Sequence, residues 1–280
     1  MKKTLEQDFI LKDLLISLFP DSSISTFRKW VKNKRVLIEG KEVTRLDSSL
    51  KKGQLFEIVK TSKPLSGNIK IVLETEDFIV LDKPSGILSV DKDHGVEISV
   101  HKVLKNYLSP KKVFVVHRLD KGTSGLILFA KTESFYEEAK KQLEERKMKR
   151  KYFAILEGEL AEDQGEWESW LYEDKNLVMR VSKDEGEGMR ALTHFKVINK
   201  KNNLSLLAFE LETGRKNQIR VQSQFFAYPI LGDKKYGSTK KWAKRMFLHA
   251  YELHFFCSKK QKTLSFKSPA PELFTNLIPF

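Results

Sequence analysis

The first sixty residues alternate between apolar runs at helical spacing and short apolar runs separated by turns. Residues 9–19 are dense enough in apolar side chains for a buried helix. A second helix is predicted to begin at Ser23 or Ser25, both favourable N-cap residues. The apolar residues of this helix share one face, which predicts contact with a core: Phe27, Trp30 and Val31. Short strands are predicted next, at 36–38, 42–43 and 55–59.

Beyond residue 70 the pattern changes to longer apolar strands mixed with helices. Strands are predicted at 71–73, 78–81, 113–116, 126–130, 152–157 and 204–211. A helix is predicted over 135–146, because Phe135, Ala139 and Leu143 share one face. Strands and helices without a regular βαβ rhythm indicate an α+β domain around a mixed sheet. The turn-forming residues before it predict a linker at 63–70 between domains 1–62 and 71–280.

Charge then narrows the choice of partner. The 280 residues include 51 Lys and Arg against 37 Asp and Glu, a net charge of +14, which favours a polyanionic partner such as nucleic acid. An anionic membrane is the second candidate, but no uncharged stretch approaches the ~18 residues that a spanning helix needs. Acidic residues near the N-terminus also interrupt any signal-peptide pattern. The single cysteine, Cys257, excludes an internal disulfide and predicts a cytoplasmic protein without a metal cluster.

The segment with the most chemical information is residues 117–131, a polar loop between two apolar strands. Such a loop displays side chains at the edge of a rigid scaffold. Gly122 and Gly125 permit tight turns, and the basic neighbours of Asp120 favour its ionised form. For an isolated HRLD string, an aspartate that caps a turn would be the better interpretation.

The complete segment resembles the signature of the RluA family of pseudouridine synthases, since HRLD, TSG and AK match over fifteen contiguous positions. Further motifs of that family follow in the expected order, so that the resemblance spans residues 71–255. They lie at 81–87, 150–158, 213–221, 229–237 and 248–250. In the 150–158 motif, Arg150 stands in place of the usual Lys. The resemblance implies a catalytic domain built on a mixed, mainly antiparallel sheet.

Residues 8–60 resemble the small RNA-binding domain first known from ribosomal small-subunit protein four, which precedes the catalytic domain in many enzymes of this family. Its basic helix corresponds to residues 23–33. The residues predicted to contact RNA are Arg28, Lys29, Lys32 and Arg35.

The resemblance also assigns chemical roles. The family's reaction detaches uracil from its ribose, rotates the base and rejoins it through carbon. Asp120 is then the catalytic carboxylate, acting either as a nucleophile or as a base on the ribose. Arg220 is its expected cationic partner, the alternative being an ordinary strand arginine that faces solvent. Tyr152 is expected to stack on the target base and to take part in proton handling. The role for His117 is structural.

Three further residues are expected to bind the substrate. Arg118 is expected to fill the gap that the everted uridine leaves in the RNA, and Arg215 and Gln218 complete the set. The chain also departs from the family pattern. Where the family has Thr-His after Gly-Arg, this sequence has Lys216-Asn217, and Gln222 replaces another His. These departures spare Arg215, Gln218 and Arg220, so catalysis is expected to survive. Local RNA contacts are expected to differ.

The expected function is therefore isomerisation of specific uridines in large-subunit ribosomal RNA by a monomeric enzyme that needs no cofactor. Transfer RNA is the alternative substrate. A non-catalytic RNA-binding assembly factor on the same fold is the second hypothesis, and the intact set of Asp120, Tyr152 and Arg220 argues against it. A nuclease that uses His117 with Asp120 is the third, although neither a His pair nor a cluster of metal-binding carboxylates is apparent.

Overall fold

The computed structural model describes residues 2–20, 22–32, 35–58, 65–91, 97–182 and 184–280. The chain divides into two compact units, Met1–Pro64 and Leu65–Phe280. Residues 63 and 64 of the predicted linker lie outside the described residues. The remainder already belongs to the larger unit, because the Leu65 N–H donates to the Ile69 carbonyl over 2.7 Å and Lys70 begins a strand.

The smaller unit packs two short helices against a four-stranded antiparallel sheet, with strand order β1-β6-β3-β4. A separate two-stranded pair joins β2 to β5. Its elements are β1 (Lys2–Thr4), β2 (Phe9–Ile10), α1 (Leu11–Leu18), α2 (Ile24–Lys32), β3 (Val36–Ile38), β4 (Lys41–Glu42), β5 (Ser49–Leu50) and β6 (Leu55–Ile58).

Helix α1 is shorter than the pattern predicts. Phe9 and Ile10 pair with β5 instead of joining the helix, so the helix begins at Leu11. The predicted apolar face of α2 is confirmed. Phe27 and Val31 are buried, and the rings of Phe27 and Phe19 pack edge-on against Trp30.

The larger unit is built on one mixed, mainly antiparallel sheet of eleven strands, which confirms the α+β prediction. The strand order is β13-β12-β14-β15-β11-β16-β10-β8-β7, with β17 beside β16 and β9 beside β10. Only the pair β10–β16 is parallel among the described strands. The elements are β7 (Lys70–Glu74), β8 (Phe78–Lys83), α3 (Val100–Leu108), β9 (Phe114–Val115), β10 (Ser124–Ala130), α4 (Glu133–Glu144), β11 (Lys149–Glu157), β12 (Gln164–Glu173), β13 (Met179–Val181), β14 (Met189–Lys200), β15 (Leu204–Leu211), α5 (Gln218–Phe225), β16 (Leu248–Cys257), β17 (Lys262–Lys267) and α6 (Glu272–Leu277).

The middle of this sheet is formed by strands that are apolar on both faces. Every residue of β10 is buried, as a strand covered on both sides requires. Gly125 has φ of 110°, and a Cβ there would lie 2.2 Å from the Ala250 carbonyl oxygen. Only glycine therefore lets β16 approach β10 this closely. Among the described helices, none is both long and apolar enough to cross a bilayer.

Candidate active site

Asp120 lies in the loop that joins β9 to β10, two strands that pair with each other. A second loop, residues 84–89, fixes this loop on both sides of the carboxylate. The Ser89 hydroxyl donates to the Leu119 carbonyl over 2.7 Å and accepts from the Leu119 N–H over 3.0 Å. On the other side, the Ser85 hydroxyl donates to the Gly122 carbonyl over 2.7 Å. Asp120 is thus displayed from backbone that is hydrogen-bonded at its two flanks.

Lys83 also links these two loops. Its side chain is fully buried, and its Nζ donates to the carbonyls of Pro84, Ile87 and Lys121 at 3.1, 2.8 and 3.3 Å. Burial lowers the pKa of Lys83 to about 7, and the nearby carboxylate of Asp120 opposes that shift. The amine therefore ties the start of one loop to the residue that follows Asp120 in the other.

Arg220 lies in the first turn of α5 and joins two carboxylates. Its Nη1 donates to Asp120 Oδ2 over 3.0 Å, while Nε and Nη2 donate to the two oxygens of Asp233 over 2.6 and 2.8 Å. Asp233 is only 2% exposed and Arg220 13%, so the alternative of an ordinary strand arginine that faces solvent is excluded. Burial lowers the pKa of Arg220, but Asp233 and Asp120 outweigh it, so the pKa is raised and the cation is permanent.

Asn217 and Tyr236 complete the surroundings of this guanidinium. Asn217 Oδ1 accepts from Arg220 Nη1 over 3.0 Å, and its Nδ2 donates to the Tyr236 hydroxyl over 3.1 Å. The Tyr236 ring lies 4.8 Å from the Arg220 guanidinium carbon, within cation–π range. Asn217 is one of the departures from the family pattern. It lies inside the arginine network, so the departure concerns the geometry of the site as well as RNA contacts.

Tyr152, on β11, lines the same pocket as Asp120 and Arg220, a small cavity of about 70 Å³. The side chain is buried. Burial raises the pKa of Tyr152, Arg150 lowers it, and Asp120 raises it further, with a net upward shift. The phenol therefore keeps its proton at neutral pH and offers a flat ring with one hydrogen-bond donor to whatever occupies the pocket.

The predicted substrate-binding residues differ in their exposure and in how many of their polar groups are free to bind a substrate. Arg118 is exposed at the pocket, whereas the Arg215 Nε donates to the Arg190 carbonyl over 3.0 Å. Gln218 lines the pocket but is buried, and its amide is fully used. It donates to the Leu192 carbonyl and the Thr193 hydroxyl, and it accepts from the Thr213 hydroxyl and the Arg215 N–H. The contacts of Gln218 fit a positioning role better than direct substrate contact.

Gln222, another of the departures, has no surface exposed to solvent. It is fully buried on α5, where its Nε2 donates to the carbonyls of Trp167 and Ala191 and its Oε1 accepts from the Thr193 hydroxyl over 2.6 Å. The expectation that this change alters local RNA contacts is therefore wrong. Its amide holds α5 against β12 and β14.

His117 is held as a neutral ring. Its Nε2 accepts from the Leu128 N–H over 3.1 Å, which requires that nitrogen to be unprotonated. Burial lowers the pKa of His117 to about 3, and the positive charge of Arg150 adds to the shift. The ring joins the start of the loop that carries Asp120 to β10.

A wider cleft of about 660 Å³ continues from the pocket. Asp120 and Arg118 belong to both, so the small pocket opens into the cleft. Basic side chains dominate its polar lining: Arg118, Arg146, Arg150, Arg215 and Lys216. The positive potential of such a cleft favours a polyanion beside the carboxylate.

The four basic residues predicted to bind RNA lie in the smaller unit. Arg28 and Lys32, one turn apart on α2, line a cleft of about 750 Å³. Lys29 is exposed on the same helix. The guanidinium of Arg35 lies 5.0 Å from the centre of the Trp30 ring.

Sequence reasoning did not predict that Asp233, Asn217 and Tyr236 contact Arg220, and it noted Asn217 only as a departure from the family pattern. Asp233 and Tyr236 stood within the 229–237 motif, which marked them as belonging to the family pattern without giving them a task. The signal that they surround Arg220 is spatial, because the loop after α5 returns to the first turn of that helix.

Comparisons with known proteins agree on one family. A family model described as RNA pseudouridylate synthase matches residues 77–225. The chain is 31% identical to the uncharacterized RNA pseudouridine synthase YhcT of Bacillus subtilis, covering 91% of this chain and 88% of that protein. It is 30% identical to the ribosomal large subunit pseudouridine synthase D of Neisseria meningitidis serogroup B, covering 96% of this chain and 77% of the relative. The fold is similar to that of human RNA pseudouridylate synthase domain containing 1, with a TM-score of 0.63 and 23% identity over 75% of this chain and 86% of the other.

Proposed function

The chain belongs to the RNA pseudouridylate synthase family, and from that premise we propose that it converts specific uridines of large-subunit ribosomal RNA to pseudouridine. The observation that carries the proposal is the 3.0 Å contact between Arg220 and Asp120 in a pocket that Tyr152 also lines. The choice of ribosomal RNA rests on relatives such as the Neisseria protein, whose name states that substrate.

The arrangement supplies the groups that the isomerisation needs. The bond between the ribose and uracil N1 breaks, the base turns, and a bond forms from the ribose to C5. C5 then loses its proton and the freed N1 gains one, so the product is an isomer of the substrate. Asp120 acts on the ribose in its ionised form, as a nucleophile or as a base. Arg220 holds the carboxylate in place, because its fork is fixed by Asp233 and only Nη1 is directed at Asp120.

The target base must leave its stack before chemistry can reach it. Tyr152 receives the uracil ring, and stacking of this kind is worth ~1–3 kcal/mol per base. Arg118, exposed at the mouth of the pocket, takes the place of the base in the RNA. Arg215 lines both the pocket and the wider cleft, which supports contacts to the same nucleotide.

The smaller unit, spanning residues 1–62 in the predicted division, provides a second grip on RNA and is similar in sequence to the domain of ribosomal small-subunit protein four. Its basic helix supports this role, with Arg28 and Lys32 in one cleft and Lys29 and Arg35 nearby in sequence. The single cysteine supports a site of action in the cytoplasm. We infer a monomer from the resemblance to the RluA family, whose members usually act in that form.

The test is incubation of the protein with a ribosomal transcript that carries labelled uridine. Pseudouridine in the digest supports the proposal, and its absence after complete binding would overturn it in favour of a non-catalytic RNA-binding factor. A labelled transfer RNA transcript in parallel decides between the two substrates. Strand breaks would indicate a nuclease, but a neutral His117 whose acceptor nitrogen is occupied is poorly suited to that chemistry.

A further inference from the structure

Arg150 is a basic residue close to the pocket for which the isomerisation itself has no task. It lies on β11 two positions before Tyr152, and residues two apart on a strand project from the same face. Its side chain lines the 660 Å³ cleft together with Arg118, Asp120 and Arg215. The guanidinium is therefore on the route that a nucleotide must take from the cleft into the pocket.

The charge of Arg150 has no counter-ion among the residues that the structure describes. Its Nε is shielded from solvent and has no acceptor there. Of the carboxylates in the cleft, Glu212 already accepts from Arg146 over 2.7 Å. The unbalanced charge acts on its neighbours. Burial lowers the pKa of His117 and Arg150 adds to that shift, whereas burial raises the pKa of Tyr152 and Arg150 opposes the rise. A half-buried cation without a partner is unfavourable until an anion neutralises it.

Gly214 makes room for this guanidinium. A Cβ at that position would lie 2.5 Å from Arg150 Nη1 and 2.9 Å from Nη2. The planar fork thus lies against the Gly214 backbone at the start of the loop that carries Arg215. Any side chain there would force the guanidinium to shift from this position.

We propose that Arg150 binds a phosphate of the RNA backbone that flanks the target uridine, a proposal that rests on the proposed function. When uracil occupies the pocket and its ribose reaches Asp120, the phosphate joined to that ribose lies in the adjoining cleft. The cleft there presents a fork-shaped cation with no counter-ion among the described residues, and guanidinium groups bind phosphate oxygens in a bidentate manner.

The experiment uses a short RNA hairpin that contains the uridine isomerised in the labelled ribosomal transcript. Binding is measured as a function of salt for the wild-type protein and for Arg150→Met. Losing a charge-assisted contact of ~1.5–3 kcal/mol weakens binding roughly 10- to 150-fold. The slope of log affinity against log salt should also become shallower by about 0.7–0.9. Arg150→Lys should retain most of the slope while losing the bidentate part of the affinity.

A second measurement identifies the phosphate. Hairpins that carry one neutral methylphosphonate at a time around the target uridine should include one position that weakens wild-type binding. The same replacement should cost Arg150→Met nothing further, since the contact is already lost. Gly214→Ala, which keeps Arg150 in the chain but forces its guanidinium to shift, should weaken binding in the same direction as Arg150→Met and by a smaller factor. Arg180→Met is the matched control, because Arg180 pairs with Asp174 outside the cleft, and it should leave both measurements unchanged.

The outcomes separate the two proposals. If the wild-type protein isomerises no uridine in the transcript, the proposed function fails. If it isomerises the hairpin but no methylphosphonate distinguishes wild-type protein from Arg150→Met, the phosphate contact is refuted while the function remains. If Arg150 were purely structural, Arg150→Met would instead lower the unfolding midpoint. The salt slope of RNA binding by the folded variant would equal that of the wild-type protein.

Discussion

Asp233→Asn is expected to disturb the site without changing Asp120, the carboxylate to which we assign catalysis. Asp233 is 2% exposed and accepts from Arg220 over 2.6 and 2.8 Å, and Arg220 itself is 13% exposed. Asparagine has nearly the same shape, but it has no charge and presents an NH₂ group to one of the guanidinium N–H groups. Breaking a buried ion pair from one side costs about 3–5 kcal/mol. The free energy of unfolding should therefore fall by that amount.

Catalysis should suffer separately from stability. Without the Asp233 carboxylate, the Nη1 hydrogen bonds to Asp120 and Asn217 and the contact with the Tyr236 ring must orient the Arg220 fork. A misplacement of ~1 Å at a reacting group can cost on the order of 10²-fold in rate. We expect kcat to fall by about that factor at a temperature where the variant is folded, with KM nearly unchanged because RNA contacts are intact.

The assay combines denaturant unfolding, followed by circular dichroism, with single-turnover isomerisation. Asp47→Asn is the stability control. Asp47 accepts from Arg45 in the same two-pronged geometry, at 2.9 and 2.6 Å, but both side chains are exposed. Its unfolding midpoint should hardly move. If Asp233→Asn unfolded like the wild-type protein and turned over within twofold of it, Arg220 would not depend on Asp233 for its orientation.

Three other outcomes follow from the structure. Tyr152→Phe, which keeps the ring, should leave KM within about twofold, whereas Tyr152→Ala should raise it roughly 5- to 150-fold in steady-state assays; equal KM values would exclude stacking. The pair Arg28→Gln and Lys32→Gln should reduce the salt slope of RNA binding by about 1.4–1.8, and Lys41→Gln should not; an unchanged slope would remove the smaller unit from RNA binding. Burial lowers the pKa of His249 to about 4 from its ordinary 6.5, so the unfolded chain binds more protons between these values. The free energy of unfolding should therefore fall as the pH drops from 6.5 to 4, and it should fall less steeply in His249→Gln. Denaturant unfolding at three pH values measures this dependence for both proteins. Equal slopes of unfolding free energy against pH would contradict the expectation.

The hydrophobic pattern predicted elements well where the buried face is apolar. The strand predicted at 204–211 is confirmed as Leu204–Leu211, and every residue of β10 is buried as its apolar run implied. The helix predicted over 135–146 lies at Glu133–Glu144. Its start is set by the hydroxyl of Thr132, which accepts from the Phe135 N–H over 3.4 Å, a local cap that an apolar stripe does not reveal.

The hydrophobic pattern did not predict helix α5, because part of the buried face of this helix is polar. Two of the residues on its buried face are glutamines, Gln218 and Gln222, whose amides hydrogen-bond β12 and β14 in place of apolar packing. A pattern search that equates burial with apolar side chains cannot find such a helix. Strands β12 and β14 do show alternation, with Trp167, Ser169 and Leu171 buried between more exposed neighbours, so a signal for them was present.

The resemblance predicted the three principal residues of the candidate site and three further residues that line the same pocket, Arg118, Arg215 and Gln218. Asp120, Tyr152 and Arg220 are 32 and 68 residues apart along the chain, and the structure brings them to one pocket. Their supporting groups could not be predicted in this way. The loop that follows α5 returns to the first turn of that helix. It brings Asp233 to the Nε side of the Arg220 guanidinium and Tyr236 to Asn217.

The most direct test of the central claim is a map of pseudouridines in RNA from cells that lack this protein, complemented either with the wild-type chain or with Asp120→Asn. We predict that specific uridines of large-subunit ribosomal RNA lose the modification and regain it only with the wild-type chain, although both chains bind RNA. Identical maps in all strains, or full restoration by Asp120→Asn, would contradict the assignment of catalysis to Asp120.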